Sequence, residues 1–384
     1  MPDRPRRVKI AIATDWFAPR RGGIEAQLVQ LAAGLAGRGH QVDVLTSTPG
    51  ASDADGFGVR RIGRATIPGT QLALSPTIVR DLRREFERGY DVVHAHVSVV
   101  SPVGYAAAGV ARSMGLPTVV TFHSVLRLKQ HLLRAMDAVA NLSSSAIVWT
   151  GVSQLVASQL RAALRGADVS VLPNGIDVGF WSTARTAPGR RGQPVTLVSA
   201  MRLHRKKRPR QLLSAFAAAS SAFPVPALLR IVGDGPERAA MDRDIRALGL
   251  AHGPARAEMQ GWLSPEALRA AYANSDGFVL ASTRESFGIA ALEAAVAGLP
   301  VIAMAESGSQ EFLAHEGMHF LCRDDEHLAQ TIARFVADPE LRPRNRIDAG
   351  RLKRYDWAAV LSEHEATYGR AITRAAAAAP AVRA

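Results

Sequence analysis

Residues 277–293 read Gly-Phe-Val-Leu-Ala-Ser-Thr-Arg-Glu-Ser-Phe-Gly-Ile-Ala-Ala-Leu-Glu. The apolar run at 277–280 predicts a strand, and the helix-forming run at 290–297 predicts a helix. A turn between a strand and a helix points free backbone N–H groups outward, and these groups together with the helix dipole favour a bound phosphate. Glu285 precedes this turn, whereas Glu293 lies inside the helix, where it can reach a neutral polyol such as a ribose. Two surface glutamates beside an ordinary helix start fit this stretch equally well.

The same alternation of strand and helix extends along the rest of the chain. Between the first two apolar runs, Leu28, Leu31, Ala32 and Leu35 follow the spacing of one helix face. Such repetition predicts an α/β fold built from doubly wound, Rossmann-like units, each with a parallel sheet covered on both faces. The predicted strands lie at 8–13, 42–46, 92–96, 118–122, 146–152, 169–172, 195–200, 228–232, 277–280 and 300–303, and helices of the second half at 211–219, 237–248, 265–273 and 289–297.

The pattern divides the chain into two domains. Residues 181–194 lack periodicity and are rich in turn formers, which predicts a linker. We therefore expect a first domain at 1–180 and a second at 195–355. Ligands of doubly wound sheets bind beyond the carboxyl ends of the strands, so functional residues are sought there. The Ala-rich tail at 375–384 is expected to be disordered.

Composition narrows the class of protein. The chain of 384 residues has a net charge of +13, but only five of its 47 basic residues are Lys, and abundant Arg and Ala often reflect a GC-rich genome. No basic segment is rich in aromatic residues, so we expect no nucleic-acid partner. The single Cys322 excludes an intramolecular disulfide and indicates a reducing compartment. Because nothing reads as a signal peptide or a membrane span, we expect a cytoplasmic protein.

A cationic loop follows the predicted strand at 195–200. Six of the nine residues at 202–210 are basic and none is acidic, which suits a diphosphate as well as it suits a solvated surface loop. Gly22 and Gly23 join the first strand to the first helix and leave room for a ligand at the backbone, or form a plain turn. The Gly-rich turn at 233–236 is better explained as structural.

Histidines and carboxylates supply the remaining candidates. His123 follows the strand at 118–122, where it could bind a sugar hydroxyl or act as an acid or base. His94 and His96 are interpreted as structural residues. No spacing of His, Cys, Asp and Glu matches a metal site, so no metal is expected. Two Asp-x-Asp pairs, at 53–55 and 242–244, are set aside because they lie in a surface loop and a polar helix.

Together these motifs resemble the family 4 retaining glycosyltransferases over residues 15 to about 357. The family's Gly-Gly-x-Glu appears as Gly22-Gly23-Ile24-Glu25, and its Pro-Asn-Gly-x-Asp as Pro173-Asn174-Gly175-Ile176-Asp177. Its Arg-Leu-x-x-x-Lys appears as Arg202-Leu203-His204-Arg205-Lys206-Lys207, and its Gly-x-Gly-Pro as Gly233-Asp234-Gly235-Pro236. Its Glu-x7-Glu runs from Glu285 to Glu293, and its late Trp looks like Trp357, which would begin a helix at 356–374 that crosses back to the first domain.

The resemblance implies a GT-B fold, with two Rossmann-like domains facing a cleft, and metal-independent sugar transfer with retention at the anomeric carbon. It implies that His123 lies beside the transferred sugar and that Glu285 contacts the sugar as the second catalytic residue. Arg202 and Lys207 would hold the donor diphosphate, and Glu293 would bind the ribose. Backbone at Phe287, Gly288 and Ile289 would meet phosphate or sugar, and Gly22 and Gly23 would let the N-terminal loop approach the diphosphate. No cofactor is implied besides the nucleotide-sugar donor.

Two departures from the family pattern lie near these donor contacts. Arg208 stands where the family often has Gly after the motif Lys, and Ser307 replaces the first Gly of Gly-Gly-x-x-Glu in Ser307-Gly308-Ser309-Gln310-Glu311. Both leave the core chemistry in place and bear on the identity of the nucleotide base and the sugar.

The stretch at 15–24 is similar to the phosphatidylinositol mannosyltransferases and to the catalytic subunit that adds N-acetylglucosamine to phosphatidylinositol. This similarity favours GDP-mannose over a UDP-sugar as donor and a lipid-linked or glycan acceptor. The segment 125–134 could lie on an anionic membrane, at the inner face of the plasma membrane, through Arg127, Lys129 and Arg134, or could be a core-facing helix. The alternatives are a UDP-sugar transferase with a soluble or polysaccharide acceptor, a nucleotide-sugar 2-epimerase and a non-catalytic nucleotide-sugar-binding regulator.

Overall fold

The computed structural model describes residues 7–20, 22–50, 53–54, 56–62, 77–126, 131, 133–135, 137, 143, 146–182, 194–313, 320–342 and 349–378. The chain forms two compact units. The first contains Met1–Gly175 and Trp357–Ala384, and the second contains Ile176–Asp356.

The sheet of the first unit has the strand order β3-β4-β2-β1-β5-β6-β7-β8. All neighbouring strands run parallel except β3 and β4, which form an antiparallel pair at one edge. Its strands are β1 Lys9–Thr14, β2 Gln41–Thr46, β3 Asp53–Ala54, β4 Phe57–Arg61, β5 Val92–Val97, β6 Thr118–Phe122, β7 Ile147–Gly151 and β8 Val169–Val171. Its described helices are α1 Gly23–Gly37, α2 Ile78–Phe86, α3 Pro102–Ser113 and α4 Gln154–Ala163. The C-terminal helix Trp357–Ala378 also belongs to this unit and is called α13, because the helices are numbered in chain order.

The sheet of the second unit is parallel throughout, in the order β11-β10-β9-β12-β13-β14. Its strands are β9 Val195–Ala200, β10 Ala227–Val232, β11 Ala255–Gly261, β12 Gly277–Leu280, β13 Val301–Met304 and β14 Phe320–Cys322. Its helices are α5 Val178–Ser182, α6 Pro209–Ser220, α7 Arg238–Ala247, α8 Pro265–Ala273, α9 Ile289–Val296, α10 Gln310–Leu313, α11 Asp325–Ala337 and α12 Ala349–Leu352.

Central strands match the predicted segments closely, because strands buried on both faces are continuous apolar runs. Every residue of β5, β6, β9 and β12 is buried. The strands that sequence patterning missed are β3, β4, β11 and β14, which occupy or adjoin the sheet edges. In β11, for example, only Ala257 is buried, and charged residues alternate with apolar ones. Edge strands have one open side, so their sequences carry a weaker apolar signal.

The boundary between the units differs from the predicted linker at 181–194. The chain enters the second unit at Ile176, and Trp181 is buried in α5 with its ring 5.6 Å from that of Tyr272. Packing of this aromatic residue therefore places the end of the first domain before 180. Residues 183–193 of the predicted linker lie outside the described residues.

The long C-terminal helix α13 belongs to the first unit, where it packs against α1. A Cβ on Gly34 of α1 would stand 2.7 Å from Leu361 of α13, so Gly at this position permits the close helix contact. The helix begins at Trp357, near the predicted start at 356, and continues to Ala378 instead of ending at 374. Four residues of the predicted disordered tail are thus helical, and 379–384 lie outside the described residues.

Candidate functional site

Lys207 and Glu285 meet at the carboxyl edge of the second sheet. Lys207 ends a short 3₁₀ turn after β9, and Glu285 lies in the loop after β12, the strand beside β9. Lys207 Nζ donates to Glu285 Oε2 at 2.6 Å. The Glu285 side chain is 10% exposed and that of Lys207 is 35% exposed, so the pair is half-buried and remains reachable from solvent. The sheet thus brings together two predicted site residues that stand 78 positions apart in sequence.

The Gly-rich turn after β10 supports the basic loop. A Cβ on Gly233, whose φ is +128°, would overlap the carbonyl oxygen of Met201. The Leu203 backbone N–H donates to the Asp234 carbonyl at 2.9 Å, and the Glu237 N–H donates to the Leu203 carbonyl at 3.0 Å. This turn therefore positions the loop that carries Arg202 and Lys207, which is the structural role expected for it.

Two cations of the basic loop are held by protein carboxylates. Arg208 donates to the Ala281 carbonyl at 3.3 Å and to Asp325 at 2.5 Å, and Arg210 makes a bidentate pair with Asp244 at 2.5 and 3.0 Å. Among the described residues, Arg208 is the one non-Gly residue with positive φ, at +58°. Its two anchors offset the cost of this conformation, which Gly adopts freely. Arg202 is exposed.

The loop after β12 rests on the loop at 307–309. The Gly308 N–H donates to the Glu285 carbonyl at 2.8 Å, and a Cβ on Gly308 would overlap the Ser286 carbonyl oxygen. Ser307 Oγ lies 2.6 Å from Ser309 Oγ and donates to the Met304 carbonyl at 2.8 Å. Ser307, the departure from the family pattern, is therefore bonded within its own loop.

Phe287, Gly288 and Ile289 lead into α9. The Phe287 ring is buried against Phe312 and Tyr355, with ring centroids 5.7 and 5.6 Å apart, so its side chain anchors the turn and only its backbone is available to a ligand. Gly288 precedes the helix with φ +95°, a conformation that favours glycine.

Glu293 lies half-buried in α9 near Tyr272, where partial removal from water raises the pKa of its carboxyl to about 8. It is therefore mostly protonated at neutral pH, and its O–H can donate to a polyol oxygen while the other oxygen accepts.

The N-terminal loop of the first unit, which carries Gly22 and Gly23, is held by contacts with the side chain of Glu25. Gly22 precedes α1 in an extended conformation, Gly23 is its exposed first residue, and the carboxylate of Glu25 folds back beside Gly22. Arg20 pairs with Glu25 at 2.8 Å.

The buried Asp15 was not singled out from sequence. It accepts hydrogen bonds from the N–H groups of Val103 at 3.0 Å and Gly104 at 3.3 Å, and so caps α3.

Three buried histidines lie around the buried His123 in the first unit. His96 Nδ1 lies 2.9 Å from His123 Nε2, and the ring of His94 lies 4.0 Å from that of His96 and 5.6 Å from that of His364. Burial lowers the pKa of His123 to about 3 and that of His364 to about 4, so these imidazoles are neutral. Sequence reasoning treated His94 and His96 as separate structural residues and missed His364 on α13. The signal available was the alternation His-Ala-His on a fully buried strand.

Three of these histidines, His96, His123 and His364, line a small cavity at the carboxyl end of the first sheet. It encloses about 20 Å³ between β5, β6, α1, α13 and the segment 172–175. Gln27 donates to the Gly175 carbonyl at 2.7 Å and accepts from the Gly175 N–H at 2.9 Å. A Cβ on Gly175 would stand 2.6 Å from the Trp357 ring. The Pro-Asn-Gly segment and the late Trp of the predicted motif set therefore meet in one wall of this cavity.

Among the described residues there is no group of three or more His, Cys, Asp and Glu side chains that could hold a metal ion. Of the Asp-x-Asp pairs, Asp244 is bonded to Arg210, and Asp55 lies outside the described residues. No helix in the described part of the chain is long and apolar enough to cross a membrane.

The segment 125–134 can be followed only in part, because Arg127 and Lys129 lie outside the described residues. Leu126 and Leu133 are buried, and Arg134 donates to the Ala162 carbonyl at 2.7 and 3.2 Å.

Comparison with known proteins identifies both halves of the chain. A profile described as Glycosyltransferase Family 4 matches residues 21–180, and one described as Glycosyl transferases group 1 matches residues 182–352. The chain is 28% identical to the D-inositol 3-phosphate glycosyltransferase of Actinosynnema mirum, over 91% of this chain and 92% of that protein. It is 28% identical to one subunit of the human phosphatidylinositol N-acetylglucosaminyltransferase, over 83% of this chain and 66% of that protein. Among solved structures, Anabaena HepE in complex with UDP-glucose has the same fold, with a TM-score of 0.74 and 21% identity over 95% of this chain and all of that one.

Proposed function

This chain belongs to the glycosyltransferases with a family 4 first half and a group 1 second half, and from that premise we propose the reaction it catalyses. It transfers a hexose from a nucleoside diphosphate sugar to an acceptor that carries an inositol phosphate, with retention at the anomeric carbon and without a metal ion. The observation that carries this proposal is the contact between Lys207 and Glu285 at the carboxyl edge of the second sheet.

On the donor side, the proposal assigns the diphosphate to Arg202 and Lys207. A departing diphosphate develops negative charge, and cations fixed beside it stabilise that charge in the transition state. Glu285, buried and bonded to Lys207, supplies acceptor oxygens for sugar hydroxyls at the same place. The start of α9 adds backbone N–H groups, and Glu293 offers an O–H to the ribose.

On the acceptor side, the proposal follows the two relatives, whose names share an inositol phosphate. Free inositol phosphate and phosphatidylinositol both carry this group. A lipid acceptor would be met at a membrane surface, so peripheral contact through basic residues of the segment 125–134 is part of the proposal for that case.

Two donors are compared because different observations favour them. The segment 15–24 resembles both the phosphatidylinositol mannosyltransferases and the subunit that adds N-acetylglucosamine, and on balance we favour GDP-mannose from it. A relative's name specifies N-acetylglucosaminyl transfer and favours UDP-N-acetylglucosamine. The two donors differ in their nucleotide base, so binding of the parent nucleotides distinguishes them. A nucleotide at about 100 times its Kd raises the free energy of unfolding by about 2.7 kcal/mol. A thermal-shift series with GDP, UDP and ADP therefore selects the donor to be used.

The decisive experiment incubates the protein with the selected donor and either inositol 3-phosphate or phosphatidylinositol vesicles. We expect a glycosylated inositol product whose anomeric configuration, read by NMR, equals that of the donor. Glu285→Gln is the matched variant for the role of the carboxylate, because it keeps the shape of the side chain and removes its charge. Donor hydrolysis without transfer to either acceptor would exclude an inositol acceptor, and an inverted product would exclude retention.

Flotation tests the membrane contact separately. Wild-type protein should float with vesicles containing phosphatidylinositol at low salt, and replacement of Arg127 and Lys129 by Ser should weaken this binding. Protein that stays in the soluble fraction while glycosylating inositol 3-phosphate would exclude the lipid acceptor.

A further inference from the structure

The pairing of strands β5 and β6 sets the contact between His96 and His123. His96 stands opposite Thr121 in the register of the two strands, and the His123 N–H donates to the Val97 carbonyl at 2.9 Å. The imidazole nitrogens His96 Nδ1 and His123 Nε2 are 2.9 Å apart, and both side chains are buried. The strand pairing therefore places the two residues side by side, and their buried rings meet at this distance.

Both imidazoles are neutral, so the bond between them has one donor and one acceptor. Gln27, Thr121 and His364 line the same cavity as the pair, and the ring of His94 lies against that of His96. Two further groups lie behind these: Tyr368 bonds to His94, and Thr150 bonds to Thr121. None of these six carries a carboxylate, and burial lowers the pKa of both His96 and His123. A neutral imidazole carries one N–H and one bare nitrogen, and the partner of one nitrogen determines the state of the other.

The second nitrogen of His96 indicates the direction of the bond. His96 Nε2 is buried and has no hydrogen-bond partner in the described part of the chain. If His123 were the donor, His96 would hold its own hydrogen on Nε2, as a buried N–H with no acceptor among the described residues. If His96 donates from Nδ1, Nε2 is only a bare acceptor. Orphaned N–H groups in protein interiors are rarer than under-satisfied acceptors.

We propose that His96 is a positioning residue that donates from Nδ1 to His123 Nε2 and holds His123 as the Nδ1–H tautomer. His123 then offers a hydrogen-bond donor from Nδ1. A donor there matches an oxygen of the transferred sugar and cannot act as a general base. The tautomer follows from the cluster alone, and only the identity of its ligand rests on the proposed glycosyl transfer.

Nitrogen-15 NMR of the full-length protein labelled at histidine tests the tautomer without any assay of activity. The His123 signals are assigned by their loss in His123→Gln. We expect the Nδ1–H pattern for His123 in the wild type and in His96→Asn, whose amide places an N–H where His96 Nδ1 stands. His96→Leu, which offers no donor, should show averaged tautomers. An Nε2–H pattern for His123 in the wild type would overturn the proposal.

Kinetics test the consequence for transfer. His96→Leu should lower kcat on the order of tenfold or more with little change in the donor KM, since small misplacements of a reacting contact can cost about a hundredfold. His96→Asn should restore most of the rate. Equal kcat values for the Leu variant and the wild type would overturn the positioning role. If His123→Gln keeps full activity, the role of His123 in the proposed function fails, while the spectra still decide the tautomer. Should the Leu variant not fold, His96→Phe, which keeps a ring at this position and also offers no donor, replaces it in both readouts.

Discussion

At the scale of single residues, the ion pair between Lys207 and Glu285 joins two side chains to which the family resemblance assigns separate duties, diphosphate binding and sugar contact. The pair is 2.6 Å long and half-buried, so each group also sets the position of the other. Removal of the ammonium group leaves a buried carboxylate without its partner and, under the proposed function, removes a charge-assisted bond to the diphosphate.

We predict that Lys207→Ala and Arg202→Ala each weaken binding of the parent nucleoside diphosphate on the order of tenfold or more, because each loses a contact worth roughly 1.5–3 kcal/mol. Titration calorimetry measures this loss. The neighbouring, exposed Lys206 is the matched control, and Lys206→Ala should change affinity far less. Unchanged affinity in both the Lys207 and Arg202 variants would show that the diphosphate binds elsewhere.

Glu293 makes the stability of the protein depend on pH. Burial raises the pKa of its carboxyl from 4.5 to about 8, so between these values the folded chain binds a proton that the unfolded chain has released. Stability therefore falls as pH rises through this window. Glu293→Gln, which stays neutral, should lose this contribution, and its thermal midpoint should gain a few degrees on the wild type between pH 6 and pH 9. Parallel melting curves for the two proteins across that range would contradict the raised pKa.

At the scale of elements, the turn after β10 supports the basic loop after β9, because Gly233 lies against the carbonyl of Met201. We predict that Gly233→Ala destabilises the protein by about 2–4 kcal/mol, through overlap with that carbonyl and strain at positive φ. Nucleotide affinity should fall with it as the loop shifts.

Gly253 is the control for this prediction. It also has positive φ, +95°, but a Cβ there would meet nothing within 4 Å. Gly253→Ala thus adds the backbone strain alone and should leave nucleotide binding intact. Chemical denaturation and calorimetry compare the two variants, and equal effects on affinity would refute the support that Gly233 gives to the loop.

At the scale of the whole molecule, the prediction concerns metal dependence. Transfer should proceed in excess EDTA as fast as in magnesium, because the proposed function assigns to Arg202 and Lys207 the positive charge that a leaving diphosphate needs. Activity measured with the matched donor and acceptor checks this expectation. Turnover that is lost on chelation and restored by magnesium would assign a role to carboxylates such as Asp242 and Asp244.

The amino-acid sequence determined the class of fold and the main candidates for function. Apolar runs of four to seven residues predict the buried central strands, because a strand that is covered on both faces has no polar face to interrupt the run. The motifs at 202–207 and 285–293 name the residues that the sheet brings to one edge, because parallel strands end together at the same side. Edge strands such as β11 were not predicted, because their sequences resemble loops. The helical residues 181–182 were assigned to a linker for the same reason.

Only the tertiary structure decided which residues act as partners. Lys207 and Glu285 are 78 positions apart, and His96 and His123 are 27 apart, and in each case neighbouring strands close the distance. His364 joins the histidine cluster because α13 returns to the first unit, which no local pattern specifies. The protonation of Glu293 and the histidines likewise follows from burial. Burial is a property of the packed chain, and a sequence lists titratable groups without stating which of them lose contact with water.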